Sequence, residues 1–405
     1  MIMSFGQGMI VPTIPVLAQT FDVSVGMAAQ AVTAQLVARV LGLFPAGMLI
    51  DRVGRRPLLI AGPIIIAGGA AATALTPEFW LLLAGQFATG IGSTLWQTAR
   101  EIAAVDVVRP EQRGRMMSGF MGMHSVGTAT GPVLGGLLTD TFNFRAVFWV
   151  YTLMAFITLA ISLRLQETGP RRATASPVGA LLPEPVEGRR ATLFDFGRLS
   201  EVDPYFRVTY IIIVINTFVA MMRSTLINSM LPLYVGVQLG YSSTDVGTLF
   251  GLYGLVNVLM IAPTGMLMDS LGRKAVVVPS TYLAAFAFFA FPLTTQMLPL
   301  SILTGLVGVA TGLALGTMAT YTYDVIPEHA RGRLQATRRT IAEAGAILGP
   351  MLAGVVADAR DPGTAFWCFV PLQLASGLAI TFLAKESLHR VRTRTSRAER
   401  KESAS

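Results

Sequence analysis

The side chains of this 405-residue chain best placed to do chemistry are charged and amide groups set inside long apolar runs. Arg39, Arg223 and Glu343 each lie in such a run. An ionised group at the centre of a bilayer costs about 2.5 to 3.5 kcal/mol, so it needs a partner, a water-filled cavity or a task. Gln35 shares a helix face with Arg39 at four residues' spacing, and Asn216 and Arg223 are seven residues apart, with Asn228 further along. Tyr253 and Asn257 form another i, i+4 pair. Arginine binds carboxylate or phosphate through paired hydrogen bonds. We therefore read Gln35, Arg39, Asn216, Arg223, Asn228, Tyr253 and Asn257 as lining a polar cavity for a small solute. The alternative for either arginine is a contact with backbone carbonyls or an acidic neighbour.

A second group of residues is suited to proton movement. Glu343 follows Arg339 by one helical turn and reads either as a proton carrier or as the ion-pair partner of that arginine. His124 has a side chain whose ordinary titration range reaches neutral pH. Glu101, beside Arg100, reads as part of a gate pair. Three histidines and the single Cys368 give no basis for a metal centre or a disulfide framework. No HExxH, GxSxG or P-loop pattern is present, so neither an enzyme nor an ATP-driven pump is expected. A proton gradient, with no cofactor, is the expected energy source.

The elements that must position these groups follow from composition. Hydrophobic residues make up 53% of the chain and charged residues 13%, about half the charge of an ordinary soluble domain. Too few charges remain to cover a water-facing surface, and membrane-spanning helices are the alternative. Apolar runs predict helices over 2–20, 25–50, 57–75, 79–104, 114–139, 145–165, 207–235, 243–268, 275–295, 298–324, 333–357 and 363–384. The fold class expected is all-α, with twelve spans in two six-helix bundles, at 1–165 and 207–385. A linker at 166–206 and a basic tail at 386–405 complete the chain, and no cleavable signal peptide is read at its start. Of the 31 basic residues, 24 fall in or within two residues of the loops after even-numbered helices, the linker and the tail. Lysine and arginine accumulate on the cytoplasmic side, so both termini are expected there. The net charge of +8 then reads as topology and contact with anionic lipid, not as nucleic-acid binding.

The two halves are related by a gapless repeat of 218 residues. Gly47, Asp51, Gly54, Arg55 and Arg56 fall on Gly265, Asp269, Gly272, Arg273 and Lys274. Gly127, Gly131, Pro132 and Asp140 fall on Gly345, Gly349, Pro350 and Asp358. Parallel repeats of this kind place a pseudo-two-fold axis along the membrane normal, with a site between halves that rock.

The segment Gly47-x-x-x-Asp51-Arg52-x-Gly54-Arg55-Arg56 resembles the signature loop of the major facilitator superfamily, and the second copy departs from it at Ser270. That resemblance implies a secondary transporter working by alternating access as a monomer, embedded in the bilayer and requiring no nucleic acid. It also implies a latch between Asp51 and a cation on helix eleven, Arg338 or Arg339, with Arg100 as another partner. Gly127-x-x-x-Gly131-Pro132-x-x-Gly135-Gly136 is similar to the antiporter motif of the twelve-span drug–proton exporters, although Ser118 stands where the fuller form has glycine. Gln86 likewise replaces the arginine of a helix-four pattern tied to proton coupling. Proton-coupled efflux of a drug-like or metabolite compound across a bacterial inner membrane is the leading expectation. Uptake of an anionic small molecule is the alternative, and a membrane sensor or enzyme without transport is the reading from another class.

Overall fold

The computed structural model describes residues 1–107, 113–165, 199–314, 316–327 and 330–387, without the side chains of residues 44, 51, 104–107, 113–121 and 332. Helices account for nearly all of these residues, and no strand occurs among them. We number the helical runs in chain order. The first half comprises α1 (Ile2–Thr20), α2 (Val25–Val53), α3 (Arg56–Leu75), α4 (Phe79–Val107), α5 (Arg113–Thr141) and α6 (Phe144–Arg164). The second half comprises α7 (Arg207–Gln238), α8 (Ser243–Leu271), α9 (Arg273–Leu293), α10 (Met297–Val325), α11 (Arg331–Ala359) and α12 (Pro362–Phe382). Ten of these are long and apolar enough to cross a membrane, and α4 and α5, at 29 residues each, are as long as α2. The protein is an integral membrane protein.

Two expected helices are broken. Within α1 a 3₁₀ turn at Val11–Thr13 separates Ile2–Gly8 from Ile14–Thr20. Pro12 and Pro15 each lack the N–H that would continue the ladder, which gives the break a local cause. In α10 the break is at Gly316, whose φ of +83 is a conformation that only glycine adopts cheaply, and the helix resumes at Thr317. The reversals after α2 and α8 use Gly54 and Gly272 in the same way, at φ +89 and +106. Both copies of the motif therefore end in a glycine-dependent turn.

Chain ends and linker pack differently from the sequence boundaries. Residues 199–206 belong with the second bundle: Glu201 pairs with Arg333 at 2.8 Å, and Val202 and Phe206 are buried. Glu386 and Ser387, expected to open the tail, also pack there, with Glu386 accepting hydrogen bonds from the backbone of Arg273 and Lys274. The remaining linker and tail, 166–198 and 388–405, lie outside the described residues.

Apolar packing shows where the halves meet. At the end away from the basic loops one cluster is shared: Ile14, Ala28 and Ala29 pack with Leu226, Met230 and Ala353. At the basic end each half keeps its own cluster, Ala46, Ile50, Leu58 and Leu95 in the first and Tyr210, Tyr321, Leu334 and Ile380 in the second. Among the described residues, the halves are thus joined at one end and packed in separate clusters at the other.

Candidate functional site

The polar residues of the middle third form two groups, one in each half. In the second half Arg223 of α7 is buried, and its Nε makes no hydrogen bond. Its electrostatic neighbour is Tyr253 of α8, whose hydroxyl donates to Thr311 Oγ1 of α10 at 3.3 Å. The three residues come from three helices, and the Tyr253–Thr311 hydrogen bond joins α8 to α10. Asn257, one turn from Tyr253, is half-buried. In the first half α2 and α4 cross closely at Gln35: a Cβ added at Gly90 would stand 2.5 Å from the Gln35 carbonyl oxygen. The Nε2 atoms of Gln35 and Gln86 are both buried without a hydrogen bond. Arg39 is half-buried one turn on, and its charge reaches His124, which hydrogen-bonds Ser4 at 2.7 Å. Gln35 and Arg39 are the 218-residue counterparts of Tyr253 and Asn257, so α2 and α8 present equivalent positions.

Other expected site residues are placed elsewhere. Asn216 is buried and donates to Thr281 Oγ1 at 3.3 Å and Ser376 Oγ at 2.8 Å, tying α7 to α9 and α12. Seven residues keep a common helical face, but the neighbours of α7 change along its length, so Asn216 and Arg223 meet different helices. The Asn228 amide donates to Ser224 O of its own helix at 2.9 Å. Glu343 is half-buried and forms no ion pair with Arg339, which is exposed. One turn of spacing permits a contact but does not enforce it. Glu101 is exposed, while Arg100 lies over the Trp96 ring at 4.7 Å with the Glu101 charge nearby.

The second signature copy is a bracing network within one bundle. Arg273 is 8% exposed, and its guanidinium donates to Asp324 Oδ2 at 3.1 Å, Met268 O at 2.6 Å and Asp269 Oδ1 at 3.2 Å. Lys274 donates to Ala384 O at 3.0 Å, and a Cβ at Gly265 would meet nothing within 4 Å. In the first copy Gly47 is half-buried, Arg52 is exposed, and Arg56 donates to Leu163 O at 3.3 Å. The Asp51 side chain, and with it the latch, lies outside the described residues. Arg338 donates to Gln335 Oε1 on its own helix at 2.9 Å. Because Asp324 is 12% exposed and Asp269 is 79% exposed, the two carboxylates should contribute unequally. Arg273→Gln is expected to destabilise the protein by about 3 kcal/mol, the cost of leaving a buried charge unpaired, and Asp269→Asn by under about 0.5 kcal/mol. Thermal unfolding in detergent would show a fall of several degrees for the first variant only.

The glycine-rich motif of α5 has two faces. Gly127, Gly131 and Gly135 pack on α1: a Cβ at Gly127 would stand 2.9 Å from Met1 O, and at Gly131 and Gly135 it would collide with Phe5 O and Met9 O. Gly136 and the Pro132 carbonyl instead face α8 across the bundles, where a Cβ on Gly136 would collide with Ser243 O and one on Gly247 with Pro132 O, while the Pro132 ring lies against Gly8 of α1.

Comparison with known proteins agrees with the all-α membrane fold. The sequence matches the profile of the Major Facilitator Superfamily over residues 1–207 and 213–404. It is 38% identical over 120 residues to the multidrug resistance protein MdtH of Cronobacter sakazakii, covering 30% of this chain and 29% of that protein. The MdtH proteins of Klebsiella pneumoniae strain 342 and Salmonella arizonae are 40% and 36% identical over 113 and 127 residues. Those matches cover 28% and 31% of each chain. The chain thus matches under a third of the length of these relatives.

Proposed function

The chain belongs to the Major Facilitator Superfamily, and from that premise we propose that it is a secondary transporter exporting small drug-like organic compounds by alternating access, driven by protons. The observation that carries this reading is the packing of the two halves. They share an apolar cluster at one end and keep separate clusters at the basic end, with polar side chains at mid-length. A cavity on a pseudo-two-fold axis that is sealed on one side is what alternating access requires. The relatives' names support drug-like cargo.

In this reading Arg223, Tyr253, Asn257, Gln35, Gln86 and Arg39 contact substrate, with Asn228 at the margin. Glu343 carries the coupling proton, with His124 and Glu101 as further titrating groups near the pathway. The Asp51 loop latches the basic end when that end closes, with Arg338, Arg339 or Arg100 as its partner. The basic loops and both termini are cytoplasmic by their charge, the membrane is a bacterial inner membrane, and one chain forms the pathway. Uptake of an anionic solute is the second reading, favoured by the buried Arg223 Nε that makes no hydrogen bond.

Proteoliposomes with an imposed pH gradient test both. Export coupled to protons predicts that a fluorescent lipophilic dye accumulates in one direction and that reversing the gradient reverses the flux. Glu343→Gln should remove gradient-driven accumulation while leaving dye exchange intact. Dye flux that ignores the gradient, or symport of dye with protons, would reject proton-driven export.

A further inference from the structure

The end where the halves join carries a pair of contacts that the shared apolar cluster does not account for. Asp140, in the last turn of α5, accepts hydrogen bonds from the backbone N–H of Ser243 at 3.0 Å and of Thr244 at 2.7 Å, at the start of α8. Asp358, in the last turn of α11, accepts from the backbone N–H of Gly26 at 2.7 Å and from Ser24 Oγ at 2.8 Å, at the start of α2. Both contacts cross from one half to the other. They are also the same contact twice: Asp140 and Asp358, Gly26 and Thr244, and the capping residues Ser24 and Ser242 all stand 218 residues apart.

One turn before each aspartate is a glycine, Gly136 or Gly354, again 218 residues apart. A Cβ on Gly136 would collide with Ser243 O, and one on Gly354 would stand 3.1 Å from Gly26 Cα. Each arm therefore reads Gly-x-x-x-Asp: the glycine admits the start of the opposing helix, and the carboxylate accepts the amides that a helix start leaves unpaired. A negative charge is favoured there by the helix dipole and by charge-assisted hydrogen bonds.

Local capping does not explain these two residues. The next acceptors along the chain, Asn143 and Asp361, cap their own helices through Ala146 N at 3.1 Å and Thr364 N at 2.8 Å. Asp361 is moreover held below the ordinary carboxylate range: burial alone would raise it, but hydrogen bonds from Thr364, Gln238 and Gly363 outweigh that. Each helix end thus has one acceptor for its own bundle and one for the other.

We propose that Asp140 and Asp358 form a two-point latch at the end opposite the basic loops, holding the halves shut there and releasing together when the cavity opens on that side. Because each latch joins a helix end of one half to a helix start of the other, separation at this end cannot occur with either intact. The inference needs neither a particular cargo nor proton coupling.

Distances between spin labels test it. Phe142 and Leu298, exposed at this end in opposite halves, would carry the labels as cysteines in a Cys368→Ser background. Asp140→Asn and Asp358→Asn should each raise the ratio of long-distance to short-distance populations about tenfold, and the double variant should raise it further. Asp361→Asn and Asn143→Ala, which remove local caps only, should leave the ratio within about twofold of the parent. A parent-like distribution in both single variants, or an equal shift in the local-cap controls, would overturn the latch. If the double variant fails to accumulate, the single variants decide. The measurement requires no transported substrate, so its failure is distinguishable from failure of the export reading.

Discussion

Gly136→Val should cripple transport while leaving both bundles folded. The residue lies on the face of α5 that meets α8, and even the first side-chain carbon would run into the Ser243 carbonyl oxygen. That atom is backbone at a helix start, so it cannot swing aside as a flexible side chain would. Overpacking a tight interface costs about 1 to 3 kcal/mol, and a branched side chain against backbone belongs at the upper end. Three kcal/mol is a shift of more than about a hundredfold in an equilibrium. The cost falls on the joined state alone, because α5 and α8 belong to different halves and the clash vanishes when this end opens. The transporter would therefore be held open on the side opposite the basic loops. Transport rate in proteoliposomes should fall at least about tenfold, with the detergent unfolding midpoint within a few degrees of the parent. Gly122→Ala, on the same helix, provides the control, since a Cβ there meets nothing within 4 Å. Normal transport by Gly136→Val would mean that the α5–α8 contact is not remade in each cycle.

The helices were legible because the bilayer imposes a simple rule, and the run over 57–75 was found at Arg56–Leu75 with an error of one residue. The turns after α2 and α8 were legible because glycine at Gly54 and Gly272 has a backbone reason to be there. The breaks in α1 and α10 were less so. Pro12 and Pro15 were visible in the sequence, but apolarity alone fills a span whether or not its ladder is continuous. Gly316 sits among residues that read as uninterrupted helix.

The site was harder to read than the fold. Periodicity gives the angle at which Asn216 and Arg223 leave α7 but not which helix waits at that height, so it groups two residues that meet different neighbours. Thr311 carries no signal in an apolar run, and in the sequence Gln86 reads only as the loss of an arginine, not as a second buried amide. Asp140 and Asp358 were visible as a repeat. What they do depends on helix starts from the other half, more than a hundred residues away in one case and more than three hundred in the other.

Arg223→Met is expected to weaken binding of carboxylate-bearing compounds without lowering stability, and the combination is what separates a substrate contact from a structural one. A charge-assisted hydrogen bond is worth about 1.5 to 3 kcal/mol, which corresponds to about 10- to 150-fold in affinity. Methionine retains most of the volume and removes the charge, so the packing around α7 and α8 is kept. A buried arginine that braced the fold would leave its acceptors stranded when removed, and the unfolding midpoint would drop, as anticipated for Arg273. Arg223 differs: its Nε makes no hydrogen bond, and its electrostatic neighbour is the Tyr253 hydroxyl, not a carboxylate. Keeping a charge buried without a full set of partners costs free energy in the unliganded protein. Its removal should leave the midpoint unchanged or raise it. Arg223→Lys, which keeps the charge but loses the paired donors, should recover only part of the affinity. Titration of a carboxylate-bearing fluorophore against its methyl ester measures the difference directly. Equal affinities for acid and ester in the parent, or a lower midpoint with unaltered binding in the methionine variant, would place Arg223 in the framework instead of the pathway.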